Sequence, residues 1–131
     1  MIVRLLAILW VLWAAPLAAQ QRVHIAYLGL ADDPYYAAQP VYTGLSLKDR
    51  NRPLDGARLA VKSARVLGRA IGVQVILDEY LLPEDEDVAA VVARLEEEGV
   101  FAILLDLPAP VMDSLLPKVD PVPTLFNIRQ I

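Results

Sequence analysis

The sequence predicts an α/β domain in which helices cover both faces of a parallel sheet, giving three layers. Two observations favour this fold class. Short apolar stretches alternate along the chain with longer segments of helical periodicity, in the order strand, helix, strand, helix, strand, helix, strand. The stretch VFAILL at residues 100–105 is also apolar without interruption and ends at Pro108 and Pro110. Such a run is typical of a strand buried on both faces of a parallel sheet.

The first predicted strand is VHIAYLG, residues 23–29, and a long connection follows it at residues 30–52. Irregular connections longer than about 12–15 residues inside a compact domain are usually functional or mobile. This one contains Tyr35, Tyr36 and Tyr42, whose rings are rigid groups suited to contacting a ligand. Packing of the tyrosines onto the domain is the alternative interpretation, and the sequence does not decide between the two.

A first helix is predicted at residues 54–71, between Pro53 and Gly72, which suit the two ends of a helix. Arginines and a lysine occupy one side of this helix, and we interpret them as its solvated face. The opposite side carries the predicted buried stripe, which consists of Ala57, Ala60, Val61, Ala64, Leu67 and Ile71.

The second strand is predicted at residues 73–80 and the second helix from about residue 88 to Glu98, before Gly99. Four acidic residues at positions 84–87 precede this helix. Their spacing does not fit a calcium-binding loop, so we interpret them as charge that favours the helix N-terminus.

After the buried strand, the sequence predicts a turn at residues 107–110, a short helix at about 111–116 and a fourth strand at 124–127. A parallel strand needs a further crossover to be covered on both faces. The sequence stops four residues after the fourth strand, so we expect an incomplete, truncated chain. Because ligands bind beyond the carboxyl ends of parallel strands, the turn at 107–110 is the predicted functional region.

Residues 1–19 have the features of a secretory signal peptide: Arg4, an apolar run and a small-residue end. The apolar run is shorter than the about 20 residues that span a membrane. Residues 20–131 would then form the exported domain. The formal net charge of −4 argues against nucleic acid as a partner, and without cysteine the chain has no thiol chemistry.

Four segments, in order, carry a resemblance to a known family: VHIAYLG; DGARLAVKSARVLGRAIG followed at once by VQVILDEY; VAAVVARLEEEGVFAILLDLP; and PVPTLFN. Together they resemble the N-terminal lobe of type I periplasmic-binding proteins. These are the leucine/isoleucine/valine-binding type of ABC-transporter substrate-binding protein. The loop GLADDPYYAAQPVYTGLSLKDRNRPLDG is similar to that of a subgroup found alongside quinone-cofactor alcohol dehydrogenase systems.

The resemblance implies a periplasmic solute-binding protein that closes two lobes on a small molecule and then meets a membrane ABC permease. We expect no cofactor, no metal and no catalysis. The ligand-binding residues that it implies follow the first, third and fourth strands: Leu30, Tyr35, Tyr36, Leu107, Pro108, Ala109, Asn127 and Ile128. Members of the family usually bind the ligand's α-carboxylate with a Ser or Thr hydroxyl and backbone amides after the third strand. Here Pro108-Ala109-Pro110 offers no hydroxyl and fewer amides.

A receiver-like signalling domain is the alternative function. ILLDLPAP resembles the strand that presents the phosphorylated aspartate of receiver domains, which would be Asp106, and Asp32 and Asp33 could mimic the paired magnesium-binding acids. An enzyme is not predicted, because the sequence shows no Gly-rich phosphate loop, no Gly-x-Ser-x-Gly motif and only one histidine.

Overall fold

The computed structural model describes residues 20–37, 50–119 and 124–129. The predicted signal peptide, the middle of the long connection and residues 120–123, before the predicted fourth strand, lie outside the described residues. Within them, the strands are β1 (Gln21–Leu30), β2 (Val73–Leu82), β3 (Ala102–Asp106) and β4 (Thr124–Asn127), and the helices are α1 (Leu54–Ala70), α2 (Val88–Glu97) and α3 (Ala109–Leu115). Short 3₁₀ turns lie at Pro34–Tyr36 and Leu116–Lys118. None of these described helices combines the length and the apolarity needed to cross a bilayer.

All four strands run parallel in one sheet, in the spatial order β2-β1-β3-β4. The chain moves from β1 outward to β2, crosses back past β1 to β3 and continues to β4. Right-handed crossovers that move in opposite directions place their helices on opposite faces. Accordingly α1 packs on one face, and α2 and α3 pack on the other. This arrangement confirms the predicted α/β fold class.

Side chains of β1 enter two apolar clusters, because successive residues of a strand point to opposite faces. Ala26 and Leu28 point toward α2 and α3 and belong to the larger cluster, which also contains the buried face of α2. Tyr27 points toward α1 and packs with Leu54 and Ala57 in the smaller cluster. The face covered by α1 therefore contains a large polar side chain close to the carboxyl end of β1.

The predicted buried stripe of α1 is correct at its start and wrong at its end. Ala57 and Val61 are buried, but Ala60 is exposed, and Leu67 and Ile71 are 70% and 68% exposed. Gly68 faces the sheet instead, because α1 passes so close to β2 that a Cβ on Gly68 would lie 2.4 Å from the Val73 carbonyl oxygen. A glycine contributes no apolar signal, so the periodicity did not mark this contact.

The turn after β3 is shorter than predicted. Asp106 belongs to β3, and α3 begins at Ala109, two residues earlier than expected, so that only Leu107 and Pro108 connect them. Pro110 is tolerated in the first turn of α3, where its missing N–H needs no intrahelical partner. At the start of α2, Asp87 accepts a hydrogen bond from the Ala89 amide, a capping contact in addition to the charge effect expected of the acids there.

Candidate functional site

The candidate site lies at the carboxyl edge of the sheet, where β1 and β3 end side by side. Gly29 of β1 is opposite Asp106 of β3 in the register. The connection that follows β1 runs to one face of the sheet, and the connection that follows β3 runs to the other. Ligands of open parallel sheets bind in the crevice between two such strands. Polar and aromatic side chains from separate segments meet here. We call them the edge cluster: Tyr27, Asp33, Tyr35, Tyr36, Arg50, Arg52, Asp106 and Arg129.

Asp106 is at the centre of the edge cluster and is completely buried. Its Oδ2 accepts a hydrogen bond from the Tyr27 hydroxyl at 2.5 Å, and its Oδ1 accepts one from the Tyr36 hydroxyl at 2.6 Å. Tyr27 reaches Asp106 from the neighbouring strand, since both side chains point to the α1 face. Tyr36 reaches it from the 3₁₀ turn after β1. Each carboxylate oxygen of Asp106 thus has its own phenolic donor.

Both phenols have raised pKa values. Burial is the main cause for Tyr27, and the hydrogen bond to Asp106 raises its pKa further. The same two causes, in the same order, raise the pKa of Tyr36. The two tyrosines therefore remain protonated donors at neutral pH. This is a fixed hydrogen-bond network and not a pair of groups poised to exchange protons.

A buried ion pair joins the connection after β1 to the end of β4. Asp33 caps the 3₁₀ turn by accepting the Tyr35 amide at 3.0 Å, and the Arg129 guanidinium donates to both of its oxygens at 2.5 and 3.2 Å. The side chains of Asp33 and Arg129 are only 3% and 13% exposed. Burial by itself would raise the pKa of Asp33, but the bonds from Arg129 and the Tyr35 amide outweigh it and lower that pKa.

This ion pair predicts a pH dependence of stability. Because the folded-state pKa of Asp33 lies below its ordinary value of 3.8, the pair stabilises fully above that value. Its contribution is lost as the pH falls through the folded-state pKa. Asp33→Asn keeps the cap but has no proton to take up, and should lose about 1 kcal/mol at pH 7. Urea unfolding at a series of acidic pH values should show a smaller loss of stability for Asp33→Asn than for the wild type.

The control for this experiment is Asp32→Asn, which removes the neighbouring exposed carboxylate. It should follow the wild-type pH profile. If Asp33→Asn also follows that profile, the buried pair does not contribute to the acid dependence of folding.

Three guanidiniums stack against the two tyrosine rings of the 3₁₀ turn. Arg50 and Arg129 lie 4.4 and 4.5 Å from the centre of the Tyr35 ring, and Arg52 lies 4.8 Å from that of Tyr36. The two rings meet edge to face at 5.0 Å. Cation–π contacts of this kind contribute about 0.5–1 kcal/mol each where they are exposed and more where they are desolvated. They hold the 3₁₀ turn over the crevice.

Arg52 is incompletely paired. Its Nη2 donates to the Ala31 carbonyl at 2.8 Å, whereas its Nη1 is buried and has no hydrogen-bond partner among the described residues. This Nη1 lies over Gly29, 3.5 Å from the position that a Cβ on that residue would take, and the Asp106 carbonyl oxygen is equally close to the same position. An unpaired N–H donor of a charged group is thus enclosed between the ends of β1 and β3.

The three segments predicted to contact a ligand do meet at this edge. Tyr35 and Tyr36 are half-buried members of the edge cluster. Leu30 packs against the larger apolar core. Asn127 is exposed and accepts the Arg129 amide at 3.1 Å, and Ile128 packs against the smaller cluster while its amide donates to Leu105.

The predicted contacts after β3 differ in what they can offer a ligand. The Leu107 side chain is completely buried in the core, so only its backbone could reach the site. Pro108 is half-buried and precedes α3, while Ala109 is exposed as its first residue. The Val111 amide, in the first turn of α3, donates to the Pro108 carbonyl at 3.0 Å.

Sequence reasoning missed most of the edge cluster. The sequence singles out Asp106 only for the receiver-like alternative, whereas the structure gives it two phenolic donors. The three arginines were not singled out at all. Arg50 and Arg52 sit at the end of the long connection, and Arg129 lies two residues beyond β4. Arginines flanking segments already predicted to reach the carboxyl edge would have been the available signal.

The geometry of the edge cluster suits binding. Asp33 is paired with Arg129, and the described residues hold no group of three or more acidic or histidine side chains that could bind a metal ion. A cavity of about 260 Å³ also opens at this edge, between the start of α2 and the side of α3. It lies on the opposite face of the sheet and contains no member of the edge cluster. We place the candidate site at the cluster because the buried hydrogen bonds and the buried ion pair of this edge are concentrated there.

Comparison with known protein families, with curated proteins and with solved structures finds no match to this chain.

Proposed function

We propose that this chain is the N-terminal, ligand-binding lobe of a periplasmic solute-binding protein that serves an ABC transporter. Its ligand is a small molecule, which contacts the edge cluster and is enclosed when a second lobe closes over it. The ligand-loaded protein then presents a surface to the membrane permease. The sequence resemblance supports this family, and the loop after β1 suggests the subgroup that accompanies quinone-cofactor alcohol dehydrogenases.

One structural observation carries the proposal: the edge cluster lies in the crevice at the carboxyl ends of β1 and β3. Open parallel sheets bind ligands there. Binding sites typically combine apolar and aromatic walls with a few fixed polar groups. Tyr35 and Tyr36 supply the aromatic walls, and the guanidiniums stacked on their rings supply polar groups. Hydrogen bonds and an ion pair fix the tyrosines in place.

Binding fits the cluster better than catalysis does. A general acid or base needs a pKa near the working pH. The phenols of Tyr27 and Tyr36 have pKa values raised above their ordinary value, and the pKa of Asp33 is lowered. Each of these shifts moves the pKa of the group further from neutral pH.

The receiver-like alternative is disfavoured by the surroundings of Asp106. Phosphoryl transfer requires a carboxylate oxygen that an incoming phosphoryl group can approach, together with a magnesium ion. Asp106 is fully buried, and two phenols occupy its oxygens. Asp33, one of the two acids that would bind magnesium, is paired with Arg129. Incubation with acetyl phosphate and magnesium should leave Asp106 unmodified by mass spectrometry.

The proposal predicts that ligand binding depends on the tyrosine walls. A single lobe leaves the cleft open to water, so we expect weak binding by the 131-residue chain. Small polar metabolites in pools, added to the ¹⁵N-labelled chain, should shift amide resonances at residues 29–37, 50–52 and 106–109. Tyr35→Ala should weaken binding of any hit about tenfold, because aromatic contacts and cation–π pairs contribute on the order of 1 kcal/mol or more.

Phe101→Ala is the matched control, since Phe101 is also an exposed aromatic but lies at the amino edge of the sheet. It should leave the affinity of the hit unchanged. Hits that shift only amino-edge residues, or a screen in which nothing binds even to the native protein recovered from a periplasmic extract, would contradict the proposed function.

A further inference from the structure

We infer that two copies of this chain associate through the exposed apolar side of α1, as an antiparallel pair of helices related by a twofold axis. This surface contains no member of the edge cluster, and its role is independent of ligand binding there. Single exposed apolar side chains are normal on a protein, whereas a contiguous patch marks an interaction surface. Among the described residues, eight large apolar side chains are exposed, and four of them belong to α1 or to the residue after it: Leu59, Val66, Leu67 and Ile71.

Small and apolar residues make up the side of α1 that points away from the sheet. They recur at the three- and four-residue spacing that places side chains on one side of a helix. All of them are exposed: Gly56, Leu59, Ala60, Ser63, Val66, Leu67, Ala70 and Ile71. Val61 and Gly68, on the opposite side of the helix, face the sheet. A partner that covers the exposed side of α1 therefore buries no charge.

The polar member of this surface, Ser63, can be buried at little cost. Its hydroxyl donates to the Leu59 carbonyl at 3.1 Å. A serine that bonds in this way to the carbonyl one turn earlier has no unsatisfied donor to desolvate. The surface as a whole therefore suits an apolar partner.

The sizes of the residues favour a second copy of α1 as that partner. Small residues alternate with large ones along the middle of the surface, in the order Gly56, Leu59, Ser63, Val66 and Ala70. Their alternating spacing of three and four is that of a coiled coil. Reversing one helix places Leu59 opposite the partner's Ser63, so that each large residue meets a small one and the two layers interdigitate. A parallel pair would place small residues opposite each other and leave gaps. A twofold axis lets the same surface serve both copies.

The charges beside the apolar surface are complementary in the same arrangement. Asp55, Lys62 and Arg69 follow one margin of the surface at seven-residue intervals, and all three are exposed. With Leu59 opposite the partner's Ser63, Asp55 lies beside the partner's Arg69, and the twofold axis repeats this pair. Lys62 lies near the axis, where its flexible stem lets the ammonium turn to solvent. A shift of seven residues would set Lys62 beside the partner's Arg69, and a parallel pair would keep Asp55 and Arg69 at opposite ends. Complementary charges therefore select this register.

The dimer is expected to be weak. Helix α1 has 17 residues and is about 25 Å long, so one pair of such helices buries less than the ~1,600 Å² of a standard interface. We expect a dissociation constant in the micromolar range. Sedimentation velocity on the chain as recovered from expressing cells, at concentrations from about 5 to 500 μM, should show a monomer that converts to a dimer.

Val66→Gln tests the apolar surface. It puts an amide in the middle of the contact, and should weaken dimerisation about tenfold or more because that amide has no partner there. Leu116→Gln is the matched control, since Leu116 is also an exposed apolar residue but follows α3 on the other face of the sheet. It should leave dimerisation unchanged. Both positions are exposed, so urea unfolding of the dilute monomer should change little in either variant.

A pair of charge variants tests the antiparallel register. Asp55→Lys alone sets two like-charged pairs against each other in the dimer, and so does Arg69→Glu alone, so each variant should dimerise more weakly than the wild type. Mixing the two variants restores both ion pairs in a heterodimer. At low ionic strength this heterodimer should form about fivefold more tightly than either variant associates with itself.

Three results would overturn the inference. A chain that stays monomeric throughout the concentration range does not pair through α1, whatever else covers that helix. A dimer that Val66→Gln leaves intact uses another surface. Charge variants that associate no better when mixed than alone are not arranged with Asp55 beside the partner's Arg69.

Discussion

Asp106→Leu is expected to lower the free energy of unfolding by about 3–5 kcal/mol, because it removes the acceptor of two charge-assisted hydrogen bonds. The hydroxyl of Tyr27 would remain in the core without a partner, since Tyr27 is completely buried. Asp106→Asn keeps the shape and one acceptor oxygen, and should lose only about 1–2 kcal/mol. Urea unfolding of the three proteins measures the series.

Two further variants separate the network from the charge. Tyr27→Phe and Tyr36→Phe each remove one donor, and their effects should be less than additive with Asp106→Asn in a double-mutant cycle, because the three groups share hydrogen bonds. A gain in stability on replacing Asp106 would also be interpretable. Apolar replacement of a buried charge is sometimes neutral or stabilising. If Asp106→Leu combined with both Phe substitutions is more stable than the wild type, the hydrogen-bond network of Tyr27, Tyr36 and Asp106 does not stabilise the fold. Its role would then be to position side chains of the site.

The order of elements was predictable from the sequence because each element is encoded locally. Alternation and apolar runs mark strands, and Gly72 and Gly99 mark helix ends, where both adopt the positive φ that glycine allows. The fourth strand was predicted with the bounds that the structure shows. Boundaries near proline were less accurate. The predicted turn at residues 107–110 includes Pro110, although the first turn of a helix accepts proline equally well.

The edge cluster was not predictable in the same way, because its contacts join distant parts of the chain. Asp33 meets Arg129 across 96 positions and Tyr27 meets Asp106 across 79. A tyrosine within an apolar strand looks like any other core residue until its partner is known. The rule that ligands bind at the carboxyl edge did locate the region, since it depends only on strand direction. It could not indicate which polar groups there retain bonding capacity.

The face of α1 was assigned incorrectly for a different reason. Apolar residues extend around more of this helix than its contact with the sheet requires, so two stripes compete in the periodicity. Leu67 and Ile71 belong to the exposed stripe, together with Leu59 and Val66. The buried stripe contains Gly68, which adds nothing to an apolar pattern. Close packing against Val73, and not hydrophobicity, therefore decides which stripe faces the sheet.

Two glycine-to-alanine variants of α1 test this explanation, and we expect effects of opposite sign. Within a helix, alanine is more favourable than glycine by about 1 kcal/mol. Gly56→Ala should stabilise the protein by up to that amount, since nothing lies within 4 Å of its new Cβ. Gly68→Ala would place a Cβ 2.4 Å from the Val73 carbonyl oxygen. Overpacking of this kind costs about 1–3 kcal/mol, so this variant should be destabilised.

Urea unfolding should therefore separate Gly56→Ala and Gly68→Ala by about 2 kcal/mol or more, although both make the same substitution in one helix. A carbonyl oxygen of β2 cannot move aside as a flexible side chain could, so relief would require α1 to shift on the sheet. If Gly68→Ala is as stable as Gly56→Ala, α1 can rotate without loss. The choice between its two apolar stripes would then not depend on the contact with Val73.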